Sequence, residues 1–225
     1  MEREDVSFPW SASGGEARGR LLRPDDAWCL YVFAHGAGAG MDHGFMADLA
    51  GRLGGGGVAT FRFDFPYMMA ERRRPPDPPR VLMATVRAAV EAATGSAPDL
   101  PLLAGGKSMG GRMTSMAQAE GPLPGVRALA FFGFPLHPPG KEATTRGDHL
   151  RDVDVPMLFL QGTRDKLADA TLLRGVLRSV DPAPRLHVVD GADHGFHVLK
   201  RSGRTDHEVR DELCDVFIDW ARTTI

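Results

Sequence analysis

The stretch Leu102-Leu103-Ala104-Gly105-Gly106-Lys107-Ser108-Met109-Gly110-Gly111 decides how the chain is read. It opens with an apolar run suited to a buried strand and passes through Gly106-x-Ser108-x-Gly110. It then enters residues 109–120, which have helical composition. A strand that turns sharply into a helix forces the residue at the bend into a strained backbone conformation. The flanking positions must then lack bulky side chains. Such a turn lifts Ser108 to the C-terminal edge of a sheet and aims the N-terminus of the next helix at it, where negative charge is favoured. Gly106-Lys107-Ser108 also resembles the tail of a phosphate-binding loop. That loop needs glycine at 101, where the chain has Pro101.

Working outward, similar apolar runs occur at 28–34, 58–63, 128–132, 157–160 and 186–189. Runs this short and this apolar read as strands buried on both faces. Helical patterns fill the intervals at 45–53, 80–93, 109–120, 167–180 and 208–221. In the second, Val81, Thr85, Ala88 and Ala92 form the expected apolar stripe. Residues around 6–8 and 17–22 suit edge strands, with a turn at Ser13-Gly14-Gly15. Alternating strand and helix implies right-handed crossovers and a mostly parallel sheet with helices on both faces. No linker divides the chain, so one α/β domain spanning 1–225 is expected.

Composition sets outer limits. The 225 residues are 43% hydrophobic and 25% charged with net charge −2, which suits an ordinary globular core and gives no reason to expect a nucleic-acid partner. Cys29 and Cys214 make neither a disulfide framework nor a zinc motif by spacing. The start, Met1-Glu2-Arg3-Glu4-Asp5, has no apolar segment, and no run is long enough to cross a bilayer. A cytoplasmic protein without membrane insertion is the expectation. Oligomeric state is not legible.

A serine hydroxyl needs a base, and the base needs an orienting carboxylate. The run at 157–160 ends in Gln161-Gly162-Thr163-Arg164-Asp165; the run at 186–189 ends in Asp190-Gly191-Ala192-Asp193-His194. Ser108, Asp165 and His194 therefore follow strand ends in the order serine, acid, base. Asp165 also suits a helix cap, with Asp169 as the alternative acid and His197 as the alternative base. The first central strand ends in His35-Gly36-Ala37-Gly38-Ala39-Gly40, whose glycines let backbone amides face a substrate. The backbone N–H groups of Ala37 and Met109 are the expected oxyanion donors. Gly38 is the near alternative to Ala37 and a candidate for substrate contact. Phe65 and Tyr67, after the second central strand, are candidates to line the substrate pocket. Arg72-Arg73-Arg74 suits a solvated face. A dinucleotide site is disfavoured because the third glycine of its fingerprint falls on Met41 and Asp64 lies late.

On these residues the chain, from about Trp28 onward, resembles the α/β-hydrolases. The segments His35-Gly36-Ala37-Gly38, Arg62 to Tyr67, and Gly105 to Arg112 are similar to a small branch of that superfamily. That branch includes the NSL-complex regulatory subunit and its testis-expressed homologue, near the dienelactone hydrolases. The dienelactone hydrolases proper carry a cysteine where this chain has Ser108. The resemblance implies a carboxylesterase-like enzyme (EC 3.1.1) with a minimal lid, a small ester-type substrate, and no cofactor or metal. A peptidase, a thioesterase and a catalytically silent binding scaffold remain alternatives.

Overall fold

The computed structural model describes residues 1–11, 15–70, 72 and 74–225. Ser13, Gly14 and Arg73 lie outside the described residues. An eight-stranded sheet organises the chain in the order β1-β2-β4-β3-β5-β6-β7-β8. Its strands are β1 (Glu2–Pro9), β2 (Glu16–Arg23), β3 (Cys29–Ala34), β4 (Val58–Phe63), β5 (Leu102–Lys107), β6 (Val126–Phe132), β7 (Met157–Gly162) and β8 (Arg185–Val189). β2 runs antiparallel to both β1 and β4, and the six strands from β4 to β8 are parallel. The helices are α1 (Gly44–Gly55), α2 (Pro79–Ser96), α3 (Met109–Glu120), α4 (Ala170–Leu177) and α5 (Asp206–Thr224).

Two apolar layers explain the uninterrupted hydrophobic runs. Along β3, Leu30, Val32 and Ala34 face the layer beneath α2, α3 and α4, while Cys29, Tyr31 and Phe33 face the layer beneath α1 and α5. With both faces buried, neither set of alternate residues can be polar. Tyr31 and Phe132 pack on Phe217 of α5, with ring centroids 4.9 Å and 6.1 Å away. At the β1 edge only one face is covered, and polar residues alternate with Val6 and Phe8.

The expected stripe on α2 is corrected by rotation. Its buried face is Leu82, Thr85, Val86, Ala89, Val90 and Ala93. This face removes the larger Leu and Val side chains from water, which outweighs burying Val81, Ala88 and Ala92. The segment expected as a helix from 167 is helical only over α4, because Asp169 accepts hydrogen bonds from the amides of Thr171 and Leu172 and so sets the first turn. No helix among the described residues is long and apolar enough to cross a membrane.

Candidate active site

The parallel strands deliver three loops to one edge of the sheet. β5 turns into α3 through Ser108, whose backbone lies at φ 51°, ψ −119°, a conformation that costs energy for any residue with a side chain. The flanking glycines make the bend possible. A Cβ on Gly106 would lie 2.5 Å from the Ala34 carbonyl oxygen, and one on Gly110 would lie 2.5 Å from that of His35. The strain is offset by packing the turn directly against the end of β3.

His194 sits in a tight turn after β8. The Phe196 amide donates to the Asp193 carbonyl (2.9 Å), and the Asp193 side chain accepts from the amides of Gly195 and His197. Across the sheet edge, His194 Nε2 lies 2.8 Å from Ser108 Oγ, and His194 Nδ1 lies 2.7 Å from Asp165 Oδ2. A carboxylate accepts only, so Nδ1 carries the ring proton and Nε2 is left to accept from the serine hydroxyl. Asp165 is 7% exposed and is held by two further donors, the Leu167 amide at 2.7 Å and the side-chain amide of Gln161. Gln161 also accepts from the Phe134 amide (3.0 Å), which fixes which way its own amide faces. The two alternatives are engaged elsewhere. Asp169 caps α4, and His197 pairs with Asp206 at 2.9 Å.

The loop after β3 forms the facing wall. His35 Nδ1 donates to the Gly36 carbonyl (2.8 Å), and His35 Nε2 accepts from the Phe65 amide (3.1 Å). Both ring nitrogens are therefore occupied, and burial holds the imidazole pKa below its ordinary value. Tyr67 donates its hydroxyl hydrogen to the Ala37 carbonyl (3.0 Å). Carbonyl and N–H point opposite ways across a planar trans peptide unit. With the carbonyls of Gly36 and Ala37 drawn toward His35 and Tyr67, the N–H groups of Ala37 and Gly38 are turned away from those side chains. Neither these amides nor that of Met109 has an acceptor among the described residues. Asp64 and Arg62 brace the far end of the loop, accepting from the Met41 amide (2.8 Å) and donating to its carbonyl (2.8 Å). This is the structural work of the acid that a dinucleotide reading would have claimed.

A cavity of about 340 Å³ opens over Ser108, lined by Gly36, Ala37, Gly38, Phe45, Met46, Lys107, Leu167 and His194 among others. Gly38 lines it as expected. Phe65 does not, and its expected place in the pocket is corrected, whereas Tyr67 lines an adjoining cavity of about 260 Å³ that shares Ala37 and Gly38. Phe65 is wholly buried against His35 and Phe63, and Tyr67 stands behind the loop because the 3-10 helix Pro66–Met69 turns it inward. A larger groove of about 960 Å³ lies near the start of β6, away from Ser108, lined by Trp10, Arg87, Pro122 and Pro124 among others. Among the described residues no cluster of His, Cys, Asp or Glu has the make-up of a metal site.

The profile of the alpha/beta hydrolase domain matches residues 28–222. The chain belongs to that family. Family membership supports hydrolase activity and accounts for the order of loops around the sheet edge. Similar folds include the dienelactone hydrolase of Anabaena variabilis ATCC 29413 (20% identity, 100% of both chains covered, TM-score 0.79). An esterase domain from a Rhodothermus marinus protein is 19% identical over 99% of both chains, with a TM-score of 0.73. A lidless α/β serine hydrolase from Xanthomonas campestris is 20% identical, covering 98% of this chain and 95% of its own, with a TM-score of 0.73. Among the described residues of this alpha/beta hydrolase no long lid is evident. Its β6–β7 connection carries only the 3-10 helix Thr145–Asp152. Two structural residues escaped the sequence reading: Gln161, which bridges Asp165 to the β6 loop, and Tyr67 in its bracing role. The one signal for Gln161 is a polar residue closing an otherwise apolar strand.

Proposed function

We propose that this hydrolase cleaves a small ester through an acyl-enzyme formed on Ser108. The observation that carries the reading is the continuous hydrogen-bonded chain from Asp165 through His194 to Ser108, ending at a strained turn beside a helix N-terminus. His194 Nε2 takes the hydroxyl proton as Ser108 Oγ bonds to the ester carbonyl carbon. The resulting oxyanion is held by the N–H groups of Ala37 and Met109, and the charge on the imidazolium by Asp165. Collapse breaks the bond to the alcohol, which leaves with the proton from His194. Water then attacks the acyl-enzyme with its proton passing to His194, and the acid is released as Ser108 recovers its hydrogen.

The small cavity over Ser108, walled by Phe45, Met46 and Leu167, suits the acyl group of a small ester. The esterase domain among its structural neighbours is consistent with this reading. The test uses p-nitrophenyl butyrate together with a fluorophosphonate probe. Wild type is expected to turn over the ester and to form one adduct, on Ser108. Ser108→Ala is expected to lose at least about 10³-fold in kcat and all labelling. Turnover unchanged in Ser108→Ala overturns the mechanism, and an unlabelled wild type that also fails on ester, thioester and peptide substrates points to a binding scaffold.

A further inference from the structure

Lys107 gives the elbow its superficial likeness to a phosphate loop, and the hydrolytic mechanism does not use it. Its side chain turns inward. Nζ donates to the backbone carbonyl of His194 at 2.7 Å. It lies 5.9 Å from the ring centroid of Phe45 and 5.6 Å from that of Phe196, and the two rings stack on one another at 5.9 Å with planes 8° apart. Gly133 floors the niche at φ +70°, and a Cβ there would lie 3.0 Å from Nζ. No carboxylate forms an ion pair with Lys107 among the described residues. A cation set among ring faces with one carbonyl partner gains cation–π attraction but pays heavily in lost hydration. Burial accordingly pushes its pKa down to about 8, against the pull of Asp165 and Asp193.

We infer that Lys107 is a positioning residue: its ammonium clamps the His194 carbonyl and so holds the imidazole in line with the hydroxyl of the next residue in the chain, Ser108. The inference rests on the proposed roles of Ser108 and His194. Asp165 alone fixes one ring nitrogen, about which the imidazole can still swing. Lys107 supplies a second anchor on the same residue's backbone and is covalently joined to the nucleophile, so serine and base move as one unit. The turn it grips includes Phe196, itself at φ 60°, so the loop is held in a conformation it would not favour unaided. A misplacement of the base by about 1 Å is enough to cost about 10²-fold in rate.

The experiment compares wild type, Lys107→Met, and Lys107→Cys before and after alkylation with 2-bromoethylamine, which regenerates an ammonium at the end of a chain of nearly equal length. Cys29 and Cys214 are buried, their thiols pushed up to about 12, and should resist alkylation. Lys107→Met is expected to lower kcat for p-nitrophenyl butyrate about 10–100-fold with KM within about twofold, and to slow fluorophosphonate labelling in proportion. Alkylation of Lys107→Cys is expected to restore most of the lost kcat. Because that comparison is made within one polypeptide, it decides the matter even if Lys107→Met does not fold. Unchanged kcat in Lys107→Met, a change confined to KM as for a substrate-binding cation, or no recovery on alkylation overturns the inference. If wild type labels on Ser108 and the variants label equally fast, the clamp alone fails. If wild type does not label, the reading of Ser108 and His194 fails first.

Discussion

His149 is a half-buried imidazole close to the Arg112 guanidinium, with Asp148 and Asp152 also nearby. Its Nε2 lies 2.7 Å from Ser115 Oγ, and its ring packs near Phe134 at 6.3 Å. Burial first, then the nearby Arg112 guanidinium, push its pKa down to about 4. The folded state therefore binds this proton less readily than the unfolded chain, in which histidine titrates near 6.5. A depressed folded-state pKa contributes stability that is present above about pH 6.5 and is lost as pH falls toward 4. The loss by pH 4.5 is on the order of 2 kcal/mol. Urea midpoints at pH 7 and pH 4.5 should fall further for wild type than for His149→Gln, whose side chain carries no titrating proton. Equal falls would dismiss the role of this ring. Neither His149 nor Gln161 stood out in the sequence, for a shared reason. Each acquires its meaning in part from a distant partner, Ser115 for His149 (34 positions away) and Phe134 for Gln161 (27 positions away), of which linear spacing carries no trace.

At the scale of the element, Asp165 and Asp169 separate two roles that look alike in sequence. Both follow β7 and both precede a helix. Asp169 caps α4 through two backbone amides, whereas Asp165 faces His194. Asp169→Ala should cost about 1 kcal/mol of stability and, under the proposed esterase reading, leave kcat for the ester unchanged. Asp165→Asn keeps the shape but presents the imidazole with an amide. Ester turnover should then fall by about 10³–10⁴-fold with little change in thermal midpoint. If the two variants exchange these effects, the acid has been misassigned. The strands were legible because burial on both faces leaves no polar alternation to confuse the pattern. Ser108 and Asp165 could be picked out because each follows such a run, and His194 because it follows the short apolar stretch of the edge strand β8. The phase of α2 and the start of α4 were less legible. Choosing between overlapping apolar stripes depends on which side chains the sheet can cover, and choosing a cap depends on where the chain leaves β7. Phe65 was misplaced in the same way, since its direction is set by the 3-10 helix Pro66–Met69 that it caps and not by the strand before it.

Across the whole molecule, the sheet puts its chemistry at one edge and its bulk elsewhere. The loops after β3, β5, β7 and β8 converge because parallel strands share their C-terminal ends, so proximity among Ala37, Ser108, Asp165 and His194 follows from topology. What covers this edge then decides the size of substrate. In this chain residues 133–156 add no helical cap over Ser108, and the wall is supplied instead by α1 through Phe45 and Met46. Those two side chains belong to a helix packed into the same apolar layer as β4 and α5 by Leu49 and Leu53, both fully buried, so moving the wall for a long acyl chain would disturb that core. The cavity of about 340 Å³ lies at the small end of the range for ligand sites, roughly 300–1,000 Å³. Short acyl groups should fit within it, and longer ones should gain no further burial while losing chain entropy. Under the proposed esterase reading, kcat/KM for p-nitrophenyl butyrate should exceed that for the laurate by about 10-fold or more, the difference residing mainly in kcat as the carbonyl is drawn away from Ser108. Replacing Met46 by alanine should widen the wall and narrow that ratio. A laurate ester turned over as fast as the butyrate by wild type would show that the acyl chain leaves the cavity along another path, and the assignment of α1 as the limiting wall would fall.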